Sequence, residues 1–248
     1  MCIISSVNGG GMRNKITNRF NIQTIAAFIF LTGSSLSLYT QKEVRVIKKF
    51  AEYKRLAKAD SSRKMVELKT IVPGIQYDLR YATPNNFMHQ KLYKDGDITF
   101  LRLPVAKALS KAQQELNTRG LSLKIWDAYR PYSVTVKMGE PIKDDRYVAD
   151  PKKGSGHNRG IAVDLTIIEK STATELNMGT GFDNFSDTAH QDFKDLSNEI
   201  LQNRSLLKTV MEKYGFKALE TEWWHFYWND PDFELMDIDP KKFKKKLN

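Results

Sequence analysis

Thiols are almost absent from this chain of 248 residues: the single cysteine is Cys2. One thiol at the start of the sequence cannot pair within the chain, and it offers neither nucleophile nor metal ligand to the remainder, which excludes cysteine-protease and zinc-finger chemistry. Long apolar runs are equally scarce. The run Ile25 to Leu31 is far short of the roughly 20 residues that a membrane span requires. Arg13, Lys15 and Arg19 precede it and Gly33, Ser34, Ser35 and Ser37 follow, which is the order of an export signal. Residues 1–37 are therefore expected to be a signal peptide cleaved near Ser37, with Met1 to Gly11 as an upstream extension, since the proportions improve when counted from Met12. An exported, periplasmic protein follows from this, or a membrane-anchored one where the leader stays uncleaved. No internal repeat breaks the chain into modules.

Negative charge is also in short supply, with 29 Asp and Glu against 39 Lys and Arg and a net charge of +10. The excess gathers at the ends. Residues 38–64 read as a basic linker or solvated connecting helix, with Val44, Ile47, Phe50 and Leu56 loosely on one face, and residues 236–248 read as a basic tail containing Lys241-Lys242-Phe243-Lys244-Lys245-Lys246. Such ends suit weak association with an anionic membrane or wall surface. Nucleic acid is not expected as a partner, because export removes the target. Between the ends, residues 65–235 are long enough to bury one core.

Histidine is the third scarcity, with four in all, and two of them stand in chemically suggestive company. His157 lies in Ser155-Gly156-His157-Asn158-Arg159-Gly160, ahead of Asp164, and His225 closes Glu222-Trp223-Trp224-His225. Hydrolytic zinc needs three protein ligands, an open position and a carboxylate outside the ligand set to take a proton. His157, Asp164 and His225 can supply the ligands and Glu222 the base. Ile161 to Ile168 reads as a strand with Val163, Leu165 and Ile167 facing a core and Ala162, Asp164 and Thr166 on the other face. Arg159-Gly160 can turn the chain so that His157 folds back. A spacing of three sends Glu222 and His225 to opposite faces of an ideal strand, so a bend at Glu222 or Trp223 is expected, with Glu222 on the turn entering the strand of His225. Taken singly, each residue has a plainer reading as a hydrogen-bonded structural group; the combination is what points to a metal site. His89 and His190 lack comparable neighbours, and His89 reads as a surface loop residue.

The scaffold is legible as well. Pro104 starts a helix through Leu116 that Gly120 ends, Leu121 to Asp127 alternates as a strand, and a helix or two joined near Asn203 runs from about Asp192 to Tyr214. Leu196, Ile200, Leu207 and Met211 are its expected inward positions. Helices packed on an antiparallel sheet whose exposed face carries the site make an α+β fold.

These motifs, together with Tyr77-Asp78-Leu79-Arg80-Tyr81-Ala82-Thr83, Trp126-Asp127-Ala128-Tyr129-Arg130-Pro131 and Met178-Gly179-Thr180-Gly181-Phe182-Asp183, resemble the zinc D-alanyl-D-alanine dipeptidases, relatives of the D,D-carboxypeptidases. The likeness covers roughly residues 65–230. It implies one zinc ion held by His157, Asp164 and His225, Glu222 as general base and then acid, and Arg130 as the group that steadies the oxyanion. It implies hydrolysis of the free D-Ala-D-Ala dipeptide, with cleavage of longer wall peptides or zinc-stabilised wall binding without turnover as the other readings. Asp183 and Tyr81 are implied for the substrate ammonium, and Ser155 near its carboxylate. The plainer roles are a turn cap for Asp183 and loop ordering for Ser155. The sequence departs from the family where a Gly usually stands two residues after the Asn86-Phe87 pair: here Met88 and His89 follow, which disfavours positive backbone φ in that loop.

Overall fold

The computed structural model describes residues 44–94, 96–141, 150, 152–229 and 232–244. The expected leader, its cleavage point and the last lysines of the tail lie outside the described residues. In chain order the elements are β1 (Val46–Ile47), α1 (Phe50–Ala59), β2 (Met65–Glu67), α2 (Leu68–Ile71), β3 (Gln76–Tyr77), β4 (Phe100–Arg102), α3 (Leu103–Asn117), β5 (Leu121–Asp127), α4 (Tyr132–Met138), α5 (Gly156–Arg159), β6 (Ala162–Glu169), α6 (Asn198–Lys213), β7 (Phe216–Leu219), β8 (Glu222–Trp228), β9 (Leu235–Met236) and α7 (Lys241–Lys244). Among the described residues no helix is long and apolar enough to cross a membrane.

The central sheet has the order β3-β5-β6-β8-β7. Its pairs are antiparallel except the short β3, which lies parallel to β5, so the fold is α+β on a sheet with one parallel edge. Strand β5 occupies the predicted span. On α3, Pro104 sits in the first turn, where a missing N–H leaves no bond unmade, and Val105, Leu109, Ala112 and Leu116 are buried as their spacing predicts. Strand β6 differs from the expected half-exposed strand: Ala162 to Ile168 are all buried, because other elements cover both of its faces. Helix α6 is a single helix that begins at Asn198 rather than near Asp192, since the Ser197 hydroxyl accepts from the Ile200 N–H and caps it there. Leu207 and Met211 face inward as expected, Leu196 and Ile200 are only half-buried, and Val210 and Arg204 are buried too, Arg204 donating to the carbonyls of Met178, His190 and Thr188.

The described parts of the expected linker and tail, residues 44–64 and 236–244, pack against each other. Phe50 and Tyr53 on α1 meet Phe243 on α7, with ring centroids 5.9 and 4.9 Å apart. Ile47, Met65, Phe100, Tyr129, Met236 and Ile238 complete this second apolar cluster. β1 pairs in parallel with β9, Val46 opposite Leu235. On the described residues of these segments Phe50, Tyr53 and Phe243 are buried while the lysines are exposed. The loop that departs from the family takes a left-handed backbone without glycine. His89 takes φ +51°, and its N–H donates to the Asn86 carbonyl at 2.9 Å.

Candidate active site

His157 is presented by a single helical turn that the sequence caps at both ends. The Ser155 hydroxyl accepts from the His157 N–H at 3.2 Å, and the Asn158 side chain accepts from the Ser155 N–H at 3.0 Å. Gly160 ends the turn at φ +72°, where a Cβ would stand 2.7 Å from the Met65 methyl, so only glycine fits both the backbone and the space. The turn is tied to the loop after β5: the Arg130 N–H donates to the His157 carbonyl at 3.2 Å, and the Asn158 amide donates to the Arg130 carbonyl at 2.9 Å. The fold-back expected from Arg159-Gly160 is thus present, and the ring nitrogen Nδ1 of His157 lies 2.7 Å from the Ala128 carbonyl. With that nitrogen as the donor, the Nε2 lone pair faces the site.

The other groups come from the sheet. Asp127 stands opposite Asp164, and Asp164 opposite His225, so the three form one rank across β5, β6 and β8. His225 Nδ1 is 2.8 Å from Asp164 Oδ1, His157 Nε2 is 3.4 Å from Asp164 Oδ2, and the two imidazoles approach to 3.3 Å. The ligand atoms of His157, Asp164 and His225 all lie within 4.8 Å of one another. The expected bend is present as a register slip: Ala218 pairs with Phe226 but Leu219 pairs with Glu222. Three residues of β8 therefore pass within one step of β7, and Glu222 reaches the side of His225, with Oε2 3.9 Å from Nδ1. Glu222 is the first residue of the strand rather than part of the turn before it. An exposed sheet face was expected for the cluster, but the face that carries it is covered. His157 and Asp164 are each 2% exposed and Glu222 6%, while His225 is the more accessible member and lines a cleft of about 220 Å³ with Arg159 and Tyr227.

Burial sets the electrostatics. It works to raise the Asp164 carboxyl, but the two imidazoles outweigh it and hold that group below the ordinary carboxylate range. Burial pushes the Glu222 carboxyl well above that range, and the negative charges of Asp164 and Asp183 add to the effect. Burial pulls the His225 imidazole down against the attraction of Asp164, which favours the neutral ring that a metal needs. Two imidazole nitrogens and one carboxylate oxygen converging within 4.8 Å fit a zinc ion.

Around this cluster the structure places the remaining expected residues. The Tyr81 hydroxyl donates to Asp183 Oδ1 at 2.9 Å and the Phe87 N–H lies 3.4 Å from Oδ2. Asp183, at φ +57°, has its carboxyl raised to about 7, chiefly by burial. Ser155 is 8% exposed and its hydroxyl caps α5. Arg130 lies beside this cluster, its Nη2 3.9 Å from Asp164 Oδ2 and its guanidinium carbon 5.1 Å from the centre of the Tyr81 ring. Asp127 and Tyr93 are central to the site and were not among the residues expected from sequence. An acidic residue three before Arg130 was visible there, but its direction was not.

The comparisons decide the family. The model of the M15 peptidases, described as D-ala-D-ala dipeptidase, matches residues 61–241. The chain belongs to this family. It is therefore a metallopeptidase, and its curated relatives carry the same name. The D-alanyl-D-alanine dipeptidase of Escherichia coli (strain K12) is 33% identical over 162 residues, covering 65% of this chain and 83% of the relative. That of Enterococcus faecium is 31% identical over 190 residues, covering 67% and 92%. Among solved structures, the LdcB LD-carboxypeptidase aligns with a TM-score of 0.38 at 19% identity, covering 68% of this chain and 69% of that one.

Proposed function

We propose that the protein hydrolyses free D-Ala-D-Ala to two D-alanines, with one zinc ion held by His157, Asp164 and His225 and with Glu222 as the proton-transferring base. The observation that carries this reading is the convergence of the three ligand atoms within 4.8 Å beside a buried carboxyl that is itself outside the set, 3.9 Å from His225. Bound there, zinc supplies a Lewis acid for the scissile carbonyl and for the attacking water. Glu222 takes the proton of that water and later passes it to the leaving amine. Burial raises the affinity of the Glu222 carboxyl for a proton, which suits a group that accepts one. Arg130, permanently charged and planar, donates to the carbonyl oxygen as negative charge develops there. Asp183, with Tyr81, receives the dipeptide ammonium, and Ser155 stands near the carboxylate end.

The free dipeptide is favoured over longer wall peptides by Asp183. A buried carboxyl shifted to about 7 gains most from a cationic partner, and an acylated amino end brings none. The leader-like residues 1–37 support export to the periplasm, and the lysines outside the second cluster support weak association with anionic membrane or wall surfaces. The test is release of D-alanine by the zinc-loaded protein from free D-Ala-D-Ala and, in parallel, from an N-acylated peptide ending in D-Ala-D-Ala. Release from the free dipeptide alone is expected. Release from the acylated peptide at an equal rate moves the protein to the carboxypeptidases, and release from neither leaves a binding module.

A further inference from the structure

Asp127 is fully buried, and the reaction as described makes no use of it. Its two oxygens are nevertheless both engaged within the site. Oδ1 accepts from the Tyr93 hydroxyl at 2.7 Å. Oδ2 accepts from Arg130 Nε at 2.9 Å and faces Nη2 at 2.7 Å, and it lies 3.6 Å from His157 Nδ1. Tyr93 is itself anchored, since its N–H donates to the Tyr81 carbonyl at 2.9 Å. Asp127 occupies the rank of Asp164 and His225, immediately after the irregularity between Ile125 and Asp127, so the backbone bends where this carboxyl must be aimed.

The consequence falls on Arg130. A free arginine side chain samples many rotamers, and a donor that wanders does little for a transition state. Here the guanidinium carbon stands over the Tyr81 ring, 5.1 Å from its centre, and the Nε and Nη2 edge lies on Asp127 Oδ2. Contacts from two directions narrow the orientations open to the planar group. We propose that Asp127 is a positioning residue for hydrolysis: it holds Arg130 in the orientation from which the guanidinium meets the developing oxyanion, and Tyr93 holds Asp127. A structural ion pair beside an active site would show similar distances. What distinguishes this one is that Asp127 Oδ2, with its Oδ1 held by Tyr93, and the ring of Tyr81 constrain the same guanidinium beside the three converging side chains rather than at the protein surface.

The inference rests on the dipeptidase reading, and the experiment separates the two. The zinc-loaded full-length protein is compared with Asp127→Asn, Tyr93→Phe, Arg130→Ala and the double variant Asp127→Asn/Arg130→Ala, measuring kcat and KM on D-Ala-D-Ala, zinc content and melting temperature. Asn keeps the shape of Asp but loses the charge that binds both guanidinium nitrogens. Asp127→Asn is expected to lower kcat on the order of 10- to 100-fold with KM within about threefold, zinc content unchanged and Tyr93→Phe intermediate. The double variant is expected to be no slower than Arg130→Ala, because a residue acting through another has nothing left to act on. A kcat for Asp127→Asn within twofold of the parent, or above it, overturns the proposal, the latter showing that the carboxylate only dilutes the field of Arg130. So does a double variant slower than Arg130→Ala by the whole Asp127→Asn factor, or loss of zinc from Asp127→Asn. If Asp127→Asn does not fold, unchanged kcat in Tyr93→Phe refutes the arrangement. An inactive parent refutes the dipeptidase reading instead. Binding of a phosphinate analogue of the dipeptide, measured by calorimetry, then reads the same orientation without turnover: equal affinity in the parent and Asp127→Asn overturns the positioning role.

Discussion

Glu222→Gln removes a proton acceptor while leaving the shape of the site intact. The side chain is 6% exposed, begins β8, and lies 3.9 Å from His225 without being one of the three converging ligands, so an amide of the same size can occupy its place. Positioned general bases contribute about 100- to 10,000-fold to rate, which at about 1.4 kcal/mol per decade is roughly 3–5 kcal/mol of barrier. A fall in kcat of that size is expected, with KM changed little because the group acts on water rather than on the dipeptide. Zinc content, measured by atomic emission on the dialysed protein, should stay at the parental level. His225→Ala provides the contrast: it removes a ligand, so zinc is lost together with turnover. Turnover by Glu222→Gln within tenfold of the parent would refute the role of base, and loss of zinc from Glu222→Gln would make it a ligand instead.

Three further outcomes follow from other parts of the structure. Because the Asp183 carboxyl sits near 7 and only its ionised form attracts an ammonium, KM for the free dipeptide should rise as pH falls below 7, while Asp183→Asn has a higher KM at pH 8 and a flat profile; a flat parental profile refutes the contact. Phe243→Ala empties a fully buried site against Phe50 and Tyr53 and should cost about 3–5 kcal/mol, read as a lower denaturation midpoint with KM unchanged; no loss would show that α7 does not hold the second cluster. His89→Gly relieves a left-handed backbone at the expense of a more flexible unfolded chain and should stabilise by about 0.5–1 kcal/mol, and destabilisation would mean that the imidazole itself is needed.

What could be read beforehand was what depends on neighbours in sequence. The alternation of β5, the spacing on α3 and the clash between a three-residue interval and a two-residue strand period all preceded the structure, and the last located the slip in β8. Partners distant in sequence stayed hidden. Two-residue strands such as β1 and β9 carry too little pattern to be recognised, and nothing in Phe50 or Phe243 announces that they meet across almost two hundred positions. Tyr93 and Asp127 escaped for the same reason, since their bond joins a loop to a strand end. The coverage of β6 on both faces was missed because alternation cannot report what other elements lay over the polar side.

Trp223 and Trp224, buried and edge to face at 5.5 Å, fill the interval over which β8 outruns β7. They space Glu222 from His225 along β8. Lengthening or shortening that interval by one residue would turn either Glu222 or His225 away from the cluster, so the stretch can change in the identity of its side chains but not in their number. Variation there is a matter of how wide Glu222 stands from His157, Asp164 and His225, and a change of ring size at either tryptophan becomes a change in that distance.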